Sequence, residues 1–321
     1  MKKKIAVAIP TFNREQTLFT AIDSLISQEY KNFDIHIFDN CSTDDTVKTI
    51  VPLLNNRIFL HKNNRNIGFV KNVNRCLALS NKYDWIGILH SDDRHIGESV
   101  QTLISAIERF PHVGFIFSEV HVINQFGKIL KKPKVANNQL FKKGLDAVTR
   151  SLKHIPCSTT FYNSQVIKKL GVYDVKYPFS ADEEYNNRIS SQYDILCLSN
   201  PIGEHLIHED NLRIETWLDK DFILNYKEMR YKMLEQTDLS KIEIKGLLNK
   251  QISMTCLDIA SALSKNQYQR DAQRYNKLSW KYNAYSFLNP FNLTRSILIF
   301  FPNFKSLIYT LDRYSTDNSI K

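Results

Sequence analysis

The chain has 321 residues, which is enough for one large or two small domains with a substantial hydrophobic core. Its composition, with 43% hydrophobic and 24% charged residues, is that of a globular protein and excludes collagen-like, low-complexity and disordered chains. The net charge of +10 favours a polyanionic partner such as nucleic acid, anionic lipid or a phosphorylated ligand.

Cysteine usage and hydropathy indicate the compartment. The five cysteines are scattered and lack the close spacing of zinc or redox sites, which indicates a reducing cytosol. The basic residues 2–4 precede only five apolar residues, 5–9, so we expect no secretory signal and a cytoplasmic protein. No apolar run approaches the roughly 20 residues of a spanning helix, so any membrane contact is expected to be peripheral.

The first ninety residues alternate between short apolar runs and segments with helical spacing of apolar residues. The predicted strands are residues 5–9, 33–38, 58–61 and 85–89, and the predicted helices are residues 15–27, 45–54 and 69–80. This alternation predicts an α/β fold with a doubly wound, mostly parallel sheet flanked by helices. Ligands of such sheets bind at the carboxyl ends of the strands.

The pattern changes along the rest of the chain. A helix over 98–110 ends at Pro111, and two further strands are expected in the middle of the chain, at 113–118 and 158–162. No clear strand follows residue 217, whereas amphipathic spacing predicts helices over 222–234 and 242–263. We therefore expect two regions, residues 1–214 as the catalytic domain and 215–321 as a helical, basic and aromatic C-terminal region.

Ser91-Asp92-Asp93 follows the strand at 85–89, where the binding crevice of such a sheet lies. Two adjacent carboxylates repel each other unless they share a cation, and hard oxygen ligands suit Mg²⁺ or Mn²⁺. The alternative is that these residues simply lead into and cap the helix that begins near Glu98.

Two further segments follow strands. Asp39 ends the second strand, where a carboxylate can bind a base or ribose, and the residues after it, 42–44, can cap the next helix. Arg14, in the segment 10–14 after the first strand, can face an anionic ligand together with the backbone amides of the helix start. No glycine-rich dinucleotide or ATPase phosphate loop is present, so this sheet binds a nucleotide in another way.

The order and spacing of these segments resemble those of family 2 glycosyltransferases, which have the GT-A fold, over about residues 4–213. Pro10 to Arg14 is similar to the family's Pro-Thr-[Tyr/Phe]-Asn-Arg segment, and Asp39 to Asp44 is similar to its Asp-Asp/Asn-x-Ser-x-Asp segment. Lys71 stands where the family usually has arginine. The resemblance implies that the nucleotide-sugar donor is bound by Pro10, Thr11, Asn13, Arg14, Asp39, Asn66, Gly68, Lys71 and Asp92.

The family's metal motif, Leu-Asp-x-Asp-Asp, is similar to Leu89-His90-Ser91-Asp92-Asp93, with histidine in place of the first acid. The resemblance implies that Asp93 binds Mn²⁺ or Mg²⁺ directly and that Asp92 supports the ribose or the metal. His90 is either an extra ligand or, as we favour, a polar neighbour. His208 is similar to a family histidine near the diphosphate and metal, and His205 is the less favoured alternative.

Residues 181–188 are similar to the family's Glu-Asp-x-x-Leu/Phe-x-x-Arg segment at the start of an acceptor-side helix. The resemblance implies that Asp182 is the catalytic base, with Glu183 as the alternative. Taken by themselves, the acids 182–184 are equally typical of the first turn of any exposed helix, where the helix dipole favours them.

The C-terminal residues 270–321 contain eight Lys and Arg against three Asp, a net charge of +5, interleaved with aromatic residues. Such a segment suits an anionic membrane surface. A helical cap that packs its aromatic residues on the catalytic domain is the alternative.

The sequence therefore predicts an inverting, metal-dependent glycosyltransferase with a UDP- or dTDP-sugar donor. By analogy with bacterial relatives, we expect a lipid-linked glycan acceptor in surface polysaccharide synthesis (O-antigen or capsule), at the inner face of the plasma membrane. One alternative is a nucleotidyltransferase, although its glycine-rich basic loop is missing after the first strand. The other is a basic nucleic-acid-binding protein, which we do not expect because the acids at the crevice would repel phosphates.

Overall fold

The computed structural model describes residues 3–133, 137–207, 214–219 and 221–300. The chain divides into two compact units, one up to residue 212 together with 236–238, and the other made of the remaining residues from 213 onward. Within the described residues, no helix is long and apolar enough to span a bilayer.

The first half of the first unit is a parallel βα repeat. Its strands are β1 (Ile5–Thr11), β2 (Asp34–Asp39), β3 (Ile58–Lys62) and β4 (Trp85–Ile88), and its helices are α1 (Leu18–Ile26), α2 (Thr46–Ile50) and α3 (Phe69–Leu77). β1 pairs in parallel with both β2 and β4, and β3 pairs with β2 at the sheet edge. The carboxyl ends of these strands therefore lie along one side of the sheet.

The second half of this unit is more irregular. Its strands are β5 (Arg94–His95), β6 (Phe115–Asn124), β7 (Ile129–Lys131), β8 (Gln139–Phe141), β9 (Thr160–Asn163) and β10 (Ile195–Ile207). Its helices are α4 (Ser99–Arg109), α5 (Leu145–Ser151), α6 (Ser164–Leu170) and α7 (Ala181–Ser190). The main strand order is β3-β2-β1-β4-β9-β6-β10-β5, and β9 runs antiparallel to both of its neighbours, β4 and β6.

Apolar residues cover both faces of the sheet, which explains why every residue of β1 is buried. Alternate side chains enter two cores: Ile5, Val7 and Ile9 pack with residues of α1 and α4. Ala6 and Ala8 pack on the opposite face with residues of α3, α6 and α7. The loops at the strand ends are thus held on a rigid, two-sided frame.

The α/β fold predicted from the sequence is confirmed, and the helix predicted over 222–234 has those bounds. The structure differs in the middle of the chain, where the sheet is mixed because β9 enters it antiparallel. The sequence analysis did not identify β10, a strand of 13 residues, or the helices α5 and α6, whereas α7 begins at residue 181, where the family resemblance implied a helix.

The described part of the second unit is helical. It comprises α8 (Ile214–Leu218), α9 (Phe222–Leu234), α10 (Lys241–Lys265), α11 (Gln269–Tyr282) and α12 (Pro290–Phe300). α10 begins with a capping box, in which the Ser240 and Glu243 side chains each accept from the other's backbone N–H. α10 and α11 are joined by buried hydroxyls, since Ser253 and Ser279 each donate to the other's carbonyl oxygen.

One glycine tests how tightly the sheet packs. Gly87 on β4 pairs with Phe161 on β9, and a Cβ atom at Gly87 would overlap the Phe161 ring. We predict that Gly87→Ala lowers the free energy of unfolding by about 1–3 kcal/mol, as overpacking does in other cores. Urea unfolding measures the loss, and Phe161→Leu in the same chain should recover part of it.

Gly246 in α10 is the matched control, because a Cβ atom there meets nothing within 4 Å. Gly246→Ala should raise stability by about 0.5–1 kcal/mol, since alanine is the better helix former. Equal effects at the two glycines would contradict the packing argument.

Candidate functional site

The loops after β1 and β2 are joined by hydrogen bonds. Asn13, with a left-handed φ of 52°, donates its backbone N–H to Ser42 Oγ at 2.9 Å and accepts from Thr43 N–H at 2.9 Å. The Arg14 N–H donates to Thr46 Oγ1 at 2.7 Å. The two segments that the sequence analysis singled out separately therefore form one surface.

Asp39 lies at the end of β2 and is buried. The Ser42 N–H approaches both of its carboxylate oxygens, at 3.3 and 3.2 Å, so part of its role is to hold the loop after β2. Pro10 and Thr11 end β1 beside it, and the buried Thr11 hydroxyl finds no hydrogen-bond partner in the part of the chain that the structure describes.

An asparagine network organises the loop after β3. Asn40 Oδ1 accepts from Asn63 Nδ2 at 2.8 Å and from the Ile67 N–H at 3.0 Å, and Asn40 Nδ2 donates to Asn66 Oδ1 at 2.8 Å. Asn66 Oδ1 also accepts from the Gly68 N–H at 2.9 Å. The network brings Asn66 and Gly68 next to the end of β2.

Gly68 is the residue before α3 and has a φ of 83°, a conformation that favours glycine. Lys71, in the first turn of α3, is exposed to solvent. The predicted donor-binding residues 66, 68 and 71 therefore lie on one short turn at the carboxyl side of the sheet.

The Asp93 carboxylate is enclosed by the fold near the strand ends, with 4% of the residue exposed. Its Oδ1 accepts from His205 Nδ1 at 2.9 Å and from the Leu206 N–H at 3.1 Å, and its Oδ2 accepts from the Ser158 hydroxyl. Burial works to raise the pKa of Asp93, but the bonds from His205 and Ser158 and the nearby histidines hold it below its usual value. The carboxylate is thus kept ionised at neutral pH.

A second set of hydrogen bonds, made by His95, holds Ser158, one of the partners of Asp93. His95 Nε2 donates to the Ser158 carbonyl at 3.1 Å, and His95 Nδ1 bonds to Ser99 Oγ at 2.9 Å. Burial lowers the pKa of His95 to about 4, so its ring is neutral at pH 7. Asp93 raises the pKa of His205, mainly through the hydrogen bond between them.

His90, Asp92 and Asp93 form a group that could hold a metal ion. One ring nitrogen of His90 and one oxygen of each carboxylate all lie within 4.8 Å of one another. Burial works to lower the pKa of His90, but Cys157, Asp93 and Asp92 beside it outweigh burial and raise it to about 10. A charged His90 would be a polar neighbour until a metal displaced its proton, so the choice between ligand and neighbour stays open.

Asp92 connects this group to the first loop, because its Oδ2 lies 3.9 Å from Arg14 Nε. Arg14 is further oriented by a bond from its Nη1 to the Asn13 carbonyl at 3.2 Å. A cation and the acidic group are therefore adjacent at the carboxyl side of the sheet, as an anionic, metal-binding ligand requires.

The three acids of α7 have different environments. Glu184 forms a salt bridge with Arg188 at 2.7 Å, and Arg188 also donates to the Val172 carbonyl at 2.8 Å, so Glu184 anchors the chain before the helix. Asp182 is half-buried, and its charge contributes to the raised pKa values of Tyr162 and Tyr173, which burial chiefly causes. Asp182 and Glu183 remain the two candidate bases.

His208 lies outside the described residues. The structure instead places His205, the alternative histidine, on Asp93. Sequence reasoning missed Ser158, Asn40 and Asn63, because serine and asparagine are common loop residues and only tertiary pairing brings these to the strand ends.

Comparison with known proteins agrees with this geometry. The profile of glycosyl transferase family 2 matches residues 6–171, which include the loops after β1, β2, β3 and β4. The chain belongs to glycosyl transferase family 2.

The chain is also similar in sequence to several bacterial proteins. WfaP of Escherichia coli, a UDP-Glc:alpha-D-GlcNAc-diphosphoundecaprenol beta-1,3-glucosyltransferase, is 27% identical over 184 residues, 56% of this chain and 67% of WfaP. Further relatives are matched over 21–62% of their own lengths. The chain thus spans two thirds or less of the relatives it matches.

Solved structures show the same fold. TarS 1–349 of S. aureus, in complex with UDP-GlcNAc, has a TM-score of 0.62 at 16% identity and covers 86% of this chain and 83% of that chain. GalNAc-T7 with UDP, GalNAc and Mn²⁺ has a TM-score of 0.54 at 13% identity, with 71% of this chain and 47% of that chain covered. At these identities the likeness concerns the GT-A fold alone.

Proposed function

We propose that this chain is an inverting, metal-dependent glycosyltransferase that moves a sugar from a UDP- or dTDP-sugar to a hydroxyl of a lipid-linked glycan in bacterial surface polysaccharide synthesis. The observation that carries the proposal is the contact between Arg14 and Asp92 beside the His90-Asp92-Asp93 group, at the carboxyl side of a GT-A sheet. A cation next to paired carboxylates suits a diphosphate bound together with a metal.

In this proposal the donor would lie across the strand ends. The base and ribose would lie at Asp39 and the first loop, Pro10 to Arg14, and the turn with Asn66, Gly68 and Lys71 would border the nucleotide. TarS, of the same fold, was solved with UDP-GlcNAc, and WfaP is named for UDP-Glc, which supports a uridine nucleotide.

The donor atoms near Asp92 fit a hard divalent cation, because carboxylate oxygens are the ligands that Mg²⁺ and Mn²⁺ prefer. Asp93 and Asp92 would hold the ion, with His90 or His208 as further candidates. A cation there neutralises charge on the departing diphosphate. Mn²⁺ in the GalNAc-T7 structure supports this assignment by fold analogy.

Asp182 would complete the reaction from the acceptor side. Its carboxylate takes the proton of the acceptor hydroxyl, and that oxygen bonds to the anomeric carbon as the bond from this carbon to the diphosphate breaks. Attack opposite the leaving group inverts the configuration. The first turn of α7 suits this role because Glu184 is already paired with Arg188, whereas Asp182 is half-buried in the same turn.

We predict that Asp182→Asn lowers kcat by about 10²–10⁴-fold, the usual contribution of a general base, and leaves donor binding unchanged. Initial rates with a matched donor and acceptor, together with titration of the nucleotide, separate these two effects. Glu183→Gln is the matched control on the same turn and should keep most of the activity.

Two outcomes of this experiment would change the assignment of Asp182 as the base. Full activity in Asp182→Asn would refute the assignment of the base. A loss confined to Glu183→Gln would move the role to its neighbour and leave the rest of the mechanism in place.

The metal assignment predicts that one nucleoside diphosphate binds more tightly with Mn²⁺ than without it. Isothermal titration with UDP, dTDP, GDP and CMP, with and without Mn²⁺, measures this. Asp93→Asn should abolish the metal dependence, because an amide is a poorer ligand of a hard cation than a carboxylate.

The matched variant His90→Gln distinguishes a ligand from a neighbour, because loss of a ligand would weaken Mn²⁺ binding, whereas loss of a charged neighbour would not weaken it. If Mn²⁺ does not change the affinity of the unaltered protein for any of the nucleotides, the proposed metal site is contradicted.

The second unit supports peripheral attachment to an anionic membrane. On α11, Arg270, Arg274, Lys277 and Lys281 follow each other at helical spacing. They lie opposite the face that buries residues 272, 275, 276 and 279. Apolar side chains are exposed nearby in sequence, among them Tyr285, Leu288, Phe291 and Ile297. Phe301, Phe304 and Tyr309, also part of the basic aromatic segment, lie outside the described residues.

We predict that vesicles containing phosphatidylglycerol retain the protein and that neutral phosphatidylcholine vesicles do not. Replacing the four basic residues of α11 by glutamine should weaken binding by about 1 kcal/mol for each charge that meets the lipid. Co-sedimentation measures the bound fraction.

The control replaces four exposed lysines of the first unit by glutamine, namely Lys48, Lys128, Lys132 and Lys168. An equal loss in both variants would show that net charge alone attracts the protein and would contradict a dedicated surface on α11.

A further inference from the structure

A recess opens at the edge of the sheet, away from the residues predicted to bind the donor. It has a volume of about 320 Å³ and lies beside β2, β3 and α3. Phe38 and His61 line it from the strands, Arg75 from α3, and Leu79 and Lys82 from the turn that follows α3. None of these residues has a role in the transfer reaction proposed above.

One wall of the recess is flat and apolar. Phe38 and His61 are neighbours in the parallel register of β2 and β3, and their rings stack with centroids 4.5 Å apart at 17°. The stack continues behind His61 to His36, at 5.2 Å and 16°. A planar or apolar organic group has a preformed surface here.

The rim of the recess is cationic. The Arg75 guanidinium lies 5.3 Å from the centre of the Phe38 ring, and Lys82 lies at the following turn. Neither side chain pairs with a carboxylate within the described ranges of the chain. Burial lowers the pKa of His61, and the charges of Arg75 and Lys82 lower it further, so both cations act on the same space.

Asp34, at the start of β2, is the acid at the end of a chain of hydrogen bonds that leads to the recess. Tyr83 donates its hydroxyl to Asp34 Oδ2 at 2.7 Å and bonds to His36 Nε2 at 2.8 Å. His36 Nδ1 lies 2.9 Å from His61 Nε2, which ends the chain of hydrogen bonds at the recess. Asp34 is therefore hydrogen-bonded within the polar chain of Tyr83, His36 and His61, and it forms no ion pair with Arg75 or Lys82 in the part of the chain that the structure describes.

Arg75 is also connected, through hydrogen bonds, to the loop after β3 that carries Asn63 and Asn66. Arg75 Nη1 donates to Asn63 Oδ1, and Asn63 Nδ2 in turn donates to Asn40 and Asn72, at 2.8 and 3.0 Å. An anion bound to Arg75 would compete with Asn63 for the guanidinium. Two side chains, Asn63 and Asn40, thus link Arg75 to Asn66.

We propose that this recess is a second ligand site, which binds an organic phosphate monoester. The phosphate oxygens would accept from Arg75 and Lys82, and the organic group would lie on the Phe38–His61 surface. Arginine and lysine are the side chains that bind phosphate most often, and the volume suits a small molecule. The uncompensated positive charge favours an anion over a neutral ligand of the same shape.

Phenyl phosphate is the probe, because it combines both parts of the proposed ligand. Titration calorimetry gives the affinity, and the ring carbon–proton NMR signals of His61, assigned with His61→Gln, report occupancy of the recess. We expect these signals to shift on titration. Phenyl phosphate should bind more tightly than inorganic phosphate, since only the former has a ring to stack.

Arg75→Gln with Lys82→Gln should weaken binding by about tenfold for each cation removed. Lys82→Gln alone is the second variant, because this exposed side chain is not needed for folding. The matched control is Arg109→Gln with Lys168→Gln, since Arg109 lies over the Phe110 ring at the same 5.3 Å. The control should bind as the unaltered protein does.

The results that would overturn this second site differ from those that would overturn the proposed transferase function. His61 signals that do not move, or equal affinity in the Lys82→Gln variant and the control, would overturn the site. Equal affinity for phenyl and inorganic phosphate would overturn its assignment to an organic phosphate. Binding that is lost in Arg14→Gln but kept in the Arg75 and Lys82 variants would place the anion at the donor site.

Discussion

The hydrogen bonds to the Asp93 carboxylate join three parts of the chain that are far apart in sequence. A buried charge is stable only when it is paired or hydrogen-bonded. Asp93 meets this requirement by accepting from Ser158 before β9 and from His205 and Leu206 on β10. The segment after β4 can therefore take this shape only when β9 and β10 are in place.

The residues around Asp93 are also held by hydrogen bonds and ion pairs. His95 is neutral and holds the Ser158 carbonyl, and its other ring nitrogen is bonded to Ser99 at the start of α4. Asp92, the next residue to Asp93, lies instead toward Arg14. Two adjacent carboxylates thus have different environments, one enclosed by the fold and the other facing the first loop.

The opposite end of the site is held by neutral groups. Asn40, Asn63 and Asn66 pair their amides with one another and with backbone N–H groups, and Asn63 also accepts from the half-buried Arg75, so amides fix most of the turn before α3. Amides satisfy such positions at a lower desolvation cost than carboxylates do. Of the nearby cations, Arg14 lies beside Asp92 and Arg75 donates to Asn63, whereas Lys71 is exposed to solvent.

The sequence by itself determined the features that depend on near neighbours along the chain. Apolar periodicity is local, so the βα repeat up to α4 and the helix α9 could be predicted, and so could the acids at the strand ends, Asp39, Asp92 and Asp93. Tertiary structure alone decided that β9 enters antiparallel, that Ser158 and His205 bond to Asp93, and that Arg75 and Lys82 share a recess with His61. These residue types are ordinary in sequence, and their partners lie tens of positions away, where strand pairing and burial, rather than local spacing, set the distance.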